Sequence, residues 1–279
     1  MNLTNCYATL DEFKQKFYPA GTTSVTAEDT MLKNVLENTC RAIDLAYGRH
    51  WHPVVATRYF STASPEYCLT DDLLAVTTLA TDDAGDRAYS TIWSASDYDL
   101  EPFNAPDLHP PQPYTRILVA PNSGKRFPTL RRGVKLAGTF GFYDVRRTAS
   151  ATVAEAVDSS ETVIDVSAAT EFSEGQTLLI GSEQMHVQSV DTTSTPKTLT
   201  VLRARNGTTA AAHDSGAAIQ IYEYPIVHEV ALLMAERLHK RKDAIFGIVG
   251  SAEMGQIVAI AKQDPDVKLL MQPFMKVRI

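Results

Sequence analysis

The sequence predicts an α+β fold: a helical-bundle body with a β-strand and hairpin region, plus an inserted all-β domain built as a small sandwich or barrel. Three observations predict it. Helical periodicity dominates residues 26–51 and returns at residues 225–242. Between them lies a long interval of β-branched and aromatic runs separated by turn residues. Within that interval the composition shifts near residue 146, after which residues 150–218 are almost free of aromatics and rich in Thr, Ser, Ala and Gly.

The first element is a short helix in residues 7–18. Thr9 followed by Glu12 has the spacing of a capping box, and Leu10, Phe13 and Phe17 share one face. The next helix is the clearest in the chain. Leu32, Val35, Leu36, Thr39, Cys40, Ile43, Ala46 and Tyr47 recur at three- and four-residue spacing. Thr26 is its expected N-cap, Glu28 and Asp29 suit the positive end of the dipole, and Gly48 suits the C-cap. A lone helix of this length is marginal in water, so its stripe requires a partner.

From Val54 the period becomes that of strands. Residues 54–60, 67–69, 73–79, 88–93, 98–100, 116–119 and 134–142 read as strands. Asp71-Asp72 is expected to join two of them, and both this pair and Asp82-Asp83 are read as turn caps. Prolines at 102, 106, 110, 111 and 113 keep residues 102–113 extended or looped. In the Thr- and Ser-rich stretch, residues 162–166, 177–180, 184–190, 198–202 and 218–222 form five short alternating strands with turn chemistry between them.

Helical periodicity then resumes. Pro225 suits a first helical position, and Ile226, Val227, Val230, Leu233, Met234 and Leu238 make a second apolar stripe ending in cations at 239–242. This stripe is the expected partner of the first. The bundle core is accordingly placed at Leu32, Val35, Leu36, Ile43, Val230, Leu233 and Met234. Residues 1–148 and 223–279 then form one body, and residues 149–222 an inserted β domain whose ends lie close together. Beyond it, residues 247–255 read as a loop and residues 267–271 as a last short helix. The tail, Phe274, Met275, Lys276, Val277, Arg278 and Ile279, alternates apolar and basic residues like a strand with one adhesive face.

Composition narrows function. A net charge of -7 argues against general nucleic-acid binding, which favours a basic face. Three cysteines, Cys6, Cys40 and Cys68, lie far apart without metal-ligand spacing and read as reduced thiols. The opening MNLTNCYATLDEF lacks the basic start and apolar core of a signal peptide, and no apolar run approaches a membrane span. The chain is therefore expected to be soluble.

Candidate chemistry is sparse. His50 and His52 share a face of an extended segment but bring no third ligand of zinc-site spacing. Gly181-Ser182-Glu183 lacks the later glycine of a nucleophile elbow, and Ser123-Gly124-Lys125 lacks the rest of a phosphate loop. His213 reads as a turn residue, and the cations at 240–242 as a solvated helix end. No enzyme activity, cofactor or metal is expected.

Eleven short segments carry a resemblance. They are YATLDEF at 7–13, AID at 42–44 with Gly48-Arg49, TRYF at 57–60 and DDLLAVTTL at 71–79. DYDL at 97–100, PFNA at 102–105, PYTRI at 113–117 and GVKLAGTFG at 133–141 follow. DPDV at 264–267, Leu269-Leu270 and Pro273-Phe274 close the series. In this order the chain resembles the head–tail connector, or adaptor, proteins of long-tailed bacteriophages. The resemblance implies a non-catalytic virion protein of the neck, assembled in the host cytoplasm. It implies a ring of copies, a dodecamer in the family, beneath the portal protein. That ring extends the DNA channel, lets the genome pass without sequence-specific binding, and offers a platform to the stopper or tail-terminator protein. Residues 274–279 are the candidate docking tail. The insertion departs from the family; its run VLRARNGTTAAAH at 201–213 is similar to a small β module of phage virion proteins. The alternatives are another small virion component, such as a tail-completion or minor tail protein, and, from different classes, an enzyme or a glycan-binding module.

Overall fold

The structure, a computed structural model, describes residues 2–17, 26–241, 248–251, 256–259 and 265–276. These residues form four α-helices and fourteen strands in a mixed α+β fold with two multi-strand antiparallel sheets. The chain divides into two compact units. One comprises Met1–Gly48, Arg146–Arg205 and Thr209–Ile279, and the other Arg49–Val145 with Asn206–Thr208.

In the first unit, helix α1 (Leu10–Gln15) starts on the expected capping box: the Thr9 hydroxyl accepts from the Glu12 amide at 3.2 Å, and the Glu12 carboxylate accepts from the Thr9 amide at 2.8 Å. Leu10 and Phe13 are buried. Helix α2 (Thr26–Tyr47) buries Leu32, Leu36, Thr39, Cys40 and Ile43. The Thr26 side chain, expected to cap it, lies outside the described residues. The same helix also buries two acids, Glu37 and Asp44. Glu37 accepts from the Thr4 amide at 3.0 Å and the Thr4 hydroxyl at 2.7 Å, and Tyr7 donates its hydroxyl to Asp44. Arg41 donates to the Thr4 and Asn5 carbonyls at 3.1 and 3.0 Å. The polar residues of α2 thus fasten the N-terminal segment along the helix, which makes their burial tolerable.

The second unit is built on β1 (Val54–Phe60), β2 (Tyr67–Thr81), β3 (Thr91–Trp93), β4 (Tyr98–Glu101), β5 (Tyr114–Val119) and β6 (Val134–Phe140). Their order is β1-β6-β2-β5-β4, with β3 on β2, and every pairing is antiparallel. Alternate residues of β6, including Leu136 and Phe140, enter a core with Leu73, Leu79, Ile117 and the stacked pair Trp93 and Phe127. Asp71-Asp72 is not the expected turn, because β2 runs unbroken through it. The ladder to β5 shifts register between Leu69 and Leu73, and the two carboxylates are held by different arginines. Arg58 donates to Asp71 at 2.8 Å, and Arg49 lies 3.6 Å from Asp72. Asp82 does cap a turn, accepting from the Gly85, Asp86 and Arg87 amides. The strand expected at 88–93 forms only from Thr91.

The remaining sheet contains β7 (Val145–Thr152), β8 (Val163–Val166), β9 (Thr177–Ile180), β10 (Glu183–Asp191), β11 (Lys197–Arg205) and β12 (Ala218–Glu223), in the order β7-β12-β9-β10-β11-β8. Strand β7 was not expected; its alternation uses Ala, Ser and Thr, a weak apolar signal. Ile164, Leu178, Met185, Val187, Leu199, Val201, Ile219 and Ile221 form the core. Beyond β7, Val153 bridges Val166 of β8, with the Ala154 amide donating to Asp165 at 2.7 Å and the Ser167 amide to Thr152 at 3.0 Å.

Helix α3 (Val227–Lys240) packs on α2 and buries Val227, Val230, Ala231, Leu232 and Ala235. Pro225 is not at its first position: the helix begins two residues later, after Ile226 at a φ of 66°. Leu238, expected on the buried stripe, is 45% exposed. The expected loop at 247–255 contains a strand, β13 (Ile248–Ser251), paired with β14 (Gln256–Ala259). Helix α4 (Pro265–Met271) packs on α3 and runs into a 3-10 turn, Gln272–Phe274.

The compact units are cut differently from the expected ranges 1–148 with 223–279 and 149–222. The helices group with the β7–β12 sheet, for identifiable reasons. The Leu10 amide donates to Glu174 at 3.1 Å, Gln188 donates to the Leu3 carbonyl at 3.1 Å, and Lys33 pairs with Glu174 at 2.6 Å.

Candidate functional site

The residues expected as bundle core are unequal. Leu32, Leu36, Ile43 and Val230 are buried, whereas Val35, Leu233 and Met234 are half-buried. Met234 instead helps line a groove of about 580 Å³ formed by α2, α3, α4 and the turn after α4. Ala42, Ala46, Leu238, Val267 and Met275 make its apolar surface, and Arg237, Arg241 and Lys268 bring positive charge. No carboxylate stands among its described lining residues. The groove arises from local sequence. Small alanines at 42 and 46 leave the C-terminal half of α2 narrow, and the basic last turn of α3 places its cations at that level.

The expected docking tail begins beside this groove. Phe274 ends the 3-10 turn and is only 6% exposed, so it is an anchor of the fold and not part of a free strand. Met275 is 62% exposed. Lys276 follows in irregular backbone, and Val277, Arg278 and Ile279 lie outside the described residues.

A second, polar pocket of about 380 Å³ lies where α1 meets the start of α3. There His228 Nε2 stands 3.1 Å from Glu12. Burial would raise the Glu12 pKa, but hydrogen bonds from His228 and Thr9 outweigh it and hold the carboxyl at about 2. The hydrogen bond to Glu12 raises His228 above 6.5. Arg147 on the same pocket is paired with Glu171 at 3.0 Å and Glu223 at 3.2 Å. The charges around this pocket are thus satisfied by one another.

A third cluster was not foreseen. Glu183 is fully buried and accepts five hydrogen bonds: from Arg203 Nε at 2.8 Å and Nη2 at 2.7 Å, the Ala204 and Ala211 amides at 3.0 Å, and His213 at 2.9 Å. Arg203 also donates to the Asp158 and Glu161 carbonyls at 2.8 Å. Burial acts to raise the Glu183 pKa, but Arg203 and the other donors hold it at about 2. His213 is therefore a buried member of this network, not the idle turn residue its neighbours implied. No sequence signal marks Glu183 or Arg203, because their pairing spans two strands. The network's geometry is that of a lock on the segment after β11, with every carboxylate and guanidinium bond directed inward.

His50 and His52 flank Trp51, which is fully buried against Phe142 at 4.9 Å. Among the described residues no group of three or more His, Cys, Asp or Glu is placed to hold a metal, and no helix is long and apolar enough to cross a membrane. Cys6, Cys40 and Cys68 are free and buried.

The chain matches no protein family and no curated protein. Among solved structures it is similar to a chain of the "Neck of empty GTA particle computed with C6 symmetry". The two are 11% identical with a TM-score of 0.36, over 100% of this chain and 94% of that one.

Proposed function

We propose that the chain is a non-catalytic structural component of a virion neck: a head–tail connector that forms a ring beneath the portal protein, continues the DNA channel and receives the stopper or tail. The observation supporting this reading most is where the family-like segments fall. YATLDEF covers the capping box and buried face of α1, AID the buried pair Ile43 and Asp44 of α2, and DDLLAVTTL and GVKLAGTFG the paired strands β2 and β6. DPDV opens α4. The segments thus occupy framework elements of both compact units, as an inherited scaffold requires.

In this reading residues 149–222 are an insertion into the connector chain, and adjacency of β7 and β12 supports it by bringing the ends together. The bridge between Val153 and Val166 supports a small closed barrel for that domain. The ring is a dodecamer, its DNA contact is not sequence-specific, and the tail docks on the portal. Because Phe274 is buried, the test of docking is a deletion of residues 275–279, which spares it. The truncated chain keeps its melting temperature and no longer co-sediments with the portal. Undiminished co-sedimentation sinks the docking role.

A further inference from the structure

We infer that the groove between α2, α3 and α4 binds a second copy of this chain through the acidic segment at residues 99–108, the end of β4 and the turn that follows it, a head-to-tail contact between subunits. The inference deepens the ring reading and rests on it only for closure of the chain of contacts.

The groove is apolar yet Arg241 and Lys268 stand in its lining, with no carboxylate among its described lining residues. That is unusual in a chain of net charge -7, and it selects an occupant offering apolar anchors between carboxylates. The second unit carries such a segment. Phe103 is 60% exposed and Leu108 38% exposed, and the exposed carboxylates Asp99 and Asp107 bracket Phe103. Glu101, between them, is paired with Arg116 at 3.2 Å.

The turn is also fixed in shape. Ala105 is fully buried and accepts from the Gln112 amide at 3.0 Å, and the Asp107 amide donates to Asn104 at 2.9 Å. An exposed aromatic on a rigid turn loses little entropy on docking, the condition under which one side chain contributes strongly to binding. A groove of 580 Å³ lies within the range that accommodates such anchors. Because groove and turn are different surfaces of one chain, the contact is heterologous. Heterologous contacts propagate and close into rings when the rotation per subunit allows.

The test is charge exchange in the full-length chain, read by sedimentation velocity over rising concentration. One variant carries Arg241→Glu with Lys268→Glu, the other Asp99→Lys with Asp107→Lys; Phe103→Ser removes the anchor. Wild type self-associates, and each variant alone sediments as a monomer with an unchanged circular dichroism spectrum. Mixing the two charge-reversed variants restores association, a recovery that misfolded chains cannot give. A wild type that stays monomeric, variants that associate like wild type, or a mixture that stays apart each overturns the inference. A ring of wild-type chain imaged on the portal would leave the connector reading standing in all three cases.

Discussion

Replacing Glu183 by Gln tests the buried network. The substitution keeps the volume and removes the charge, leaving Arg203 buried with only carbonyl acceptors at Asp158, Glu161 and Ala211. It also turns an amide group toward the five donors that previously met a carboxylate, two from Arg203, two from the backbone and one from His213. Removing one partner of a buried pair costs about 3–5 kcal/mol. At about 2–4 °C per kcal/mol for chains of a few hundred residues, melting should fall by roughly 6–20 °C. Thermal unfolding followed by circular dichroism measures it. The pH dependence has a definite sign. The folded-state pKa of Glu183 lies near 2, below its ordinary 4.5, so its contribution is present above 4.5 and lost as pH falls toward 2. The gap between wild type and E183Q should narrow over that window. A drop of less than about 3 °C for E183Q near neutral pH, corresponding to under about 1 kcal/mol, would refute the reasoning.

Three further outcomes follow from particular residues. His228 is raised above 6.5 chiefly by its hydrogen bond to Glu12, with Glu229 adding to the rise and Lys16 opposing it, so its contribution is full below 6.5 and lost as pH climbs through the raised value. His228→Gln should flatten melting across that range, by no more than about 1 kcal/mol because the pair is partly solvated. Gly138 sits in β6 between β1 and β2, where an added Cβ would lie 2.2 Å from the Ala75 carbonyl oxygen. Gly138→Ala should destabilise the second unit by about 1–3 kcal/mol in denaturant titration, and a neutral result would show the strands can part there. Burial pushes the Cys68 thiol up to about 12, and Cys6 and Cys40 are equally enclosed. A thiol reagent should label the native chain only as fast as it opens, and all three cysteines at once in denaturant.

Much of the framework was legible because it is local. The Thr9 and Glu12 spacing, the stripe from Leu32 to Ile43 and the β-branched run of β1 each carry their structure in neighbouring residues. What escaped was set at long range. Asp71-Asp72 resembles a turn until Arg58 and Arg49 pair with it inside a continuous strand. Glu183, Arg203 and His213 look like separate polar residues, because only strand pairing brings them together. Nothing in the sequence around Glu37 and Asp44 marks them as buried, because the N-terminal segment that covers them lies over thirty residues away. The groove was invisible for a similar reason. Ala46 reads as part of the buried stripe of α2, whereas it is exposed and, with Ala42, lines a concave surface that only the packing of α3 and α4 creates. Phe274 was read as the start of a strand, since alternation in a short tail does not reveal that its first residue is an anchor.

The central claim is that copies of this chain form a ring on a portal. Negative-stain electron microscopy of the purified chain mixed with the portal protein of the same virus tests it most directly. An added ring coaxial with the portal channel, absent from portal alone, is the expected result. A portal that remains bare, or copies bound singly without closing a ring, would contradict it.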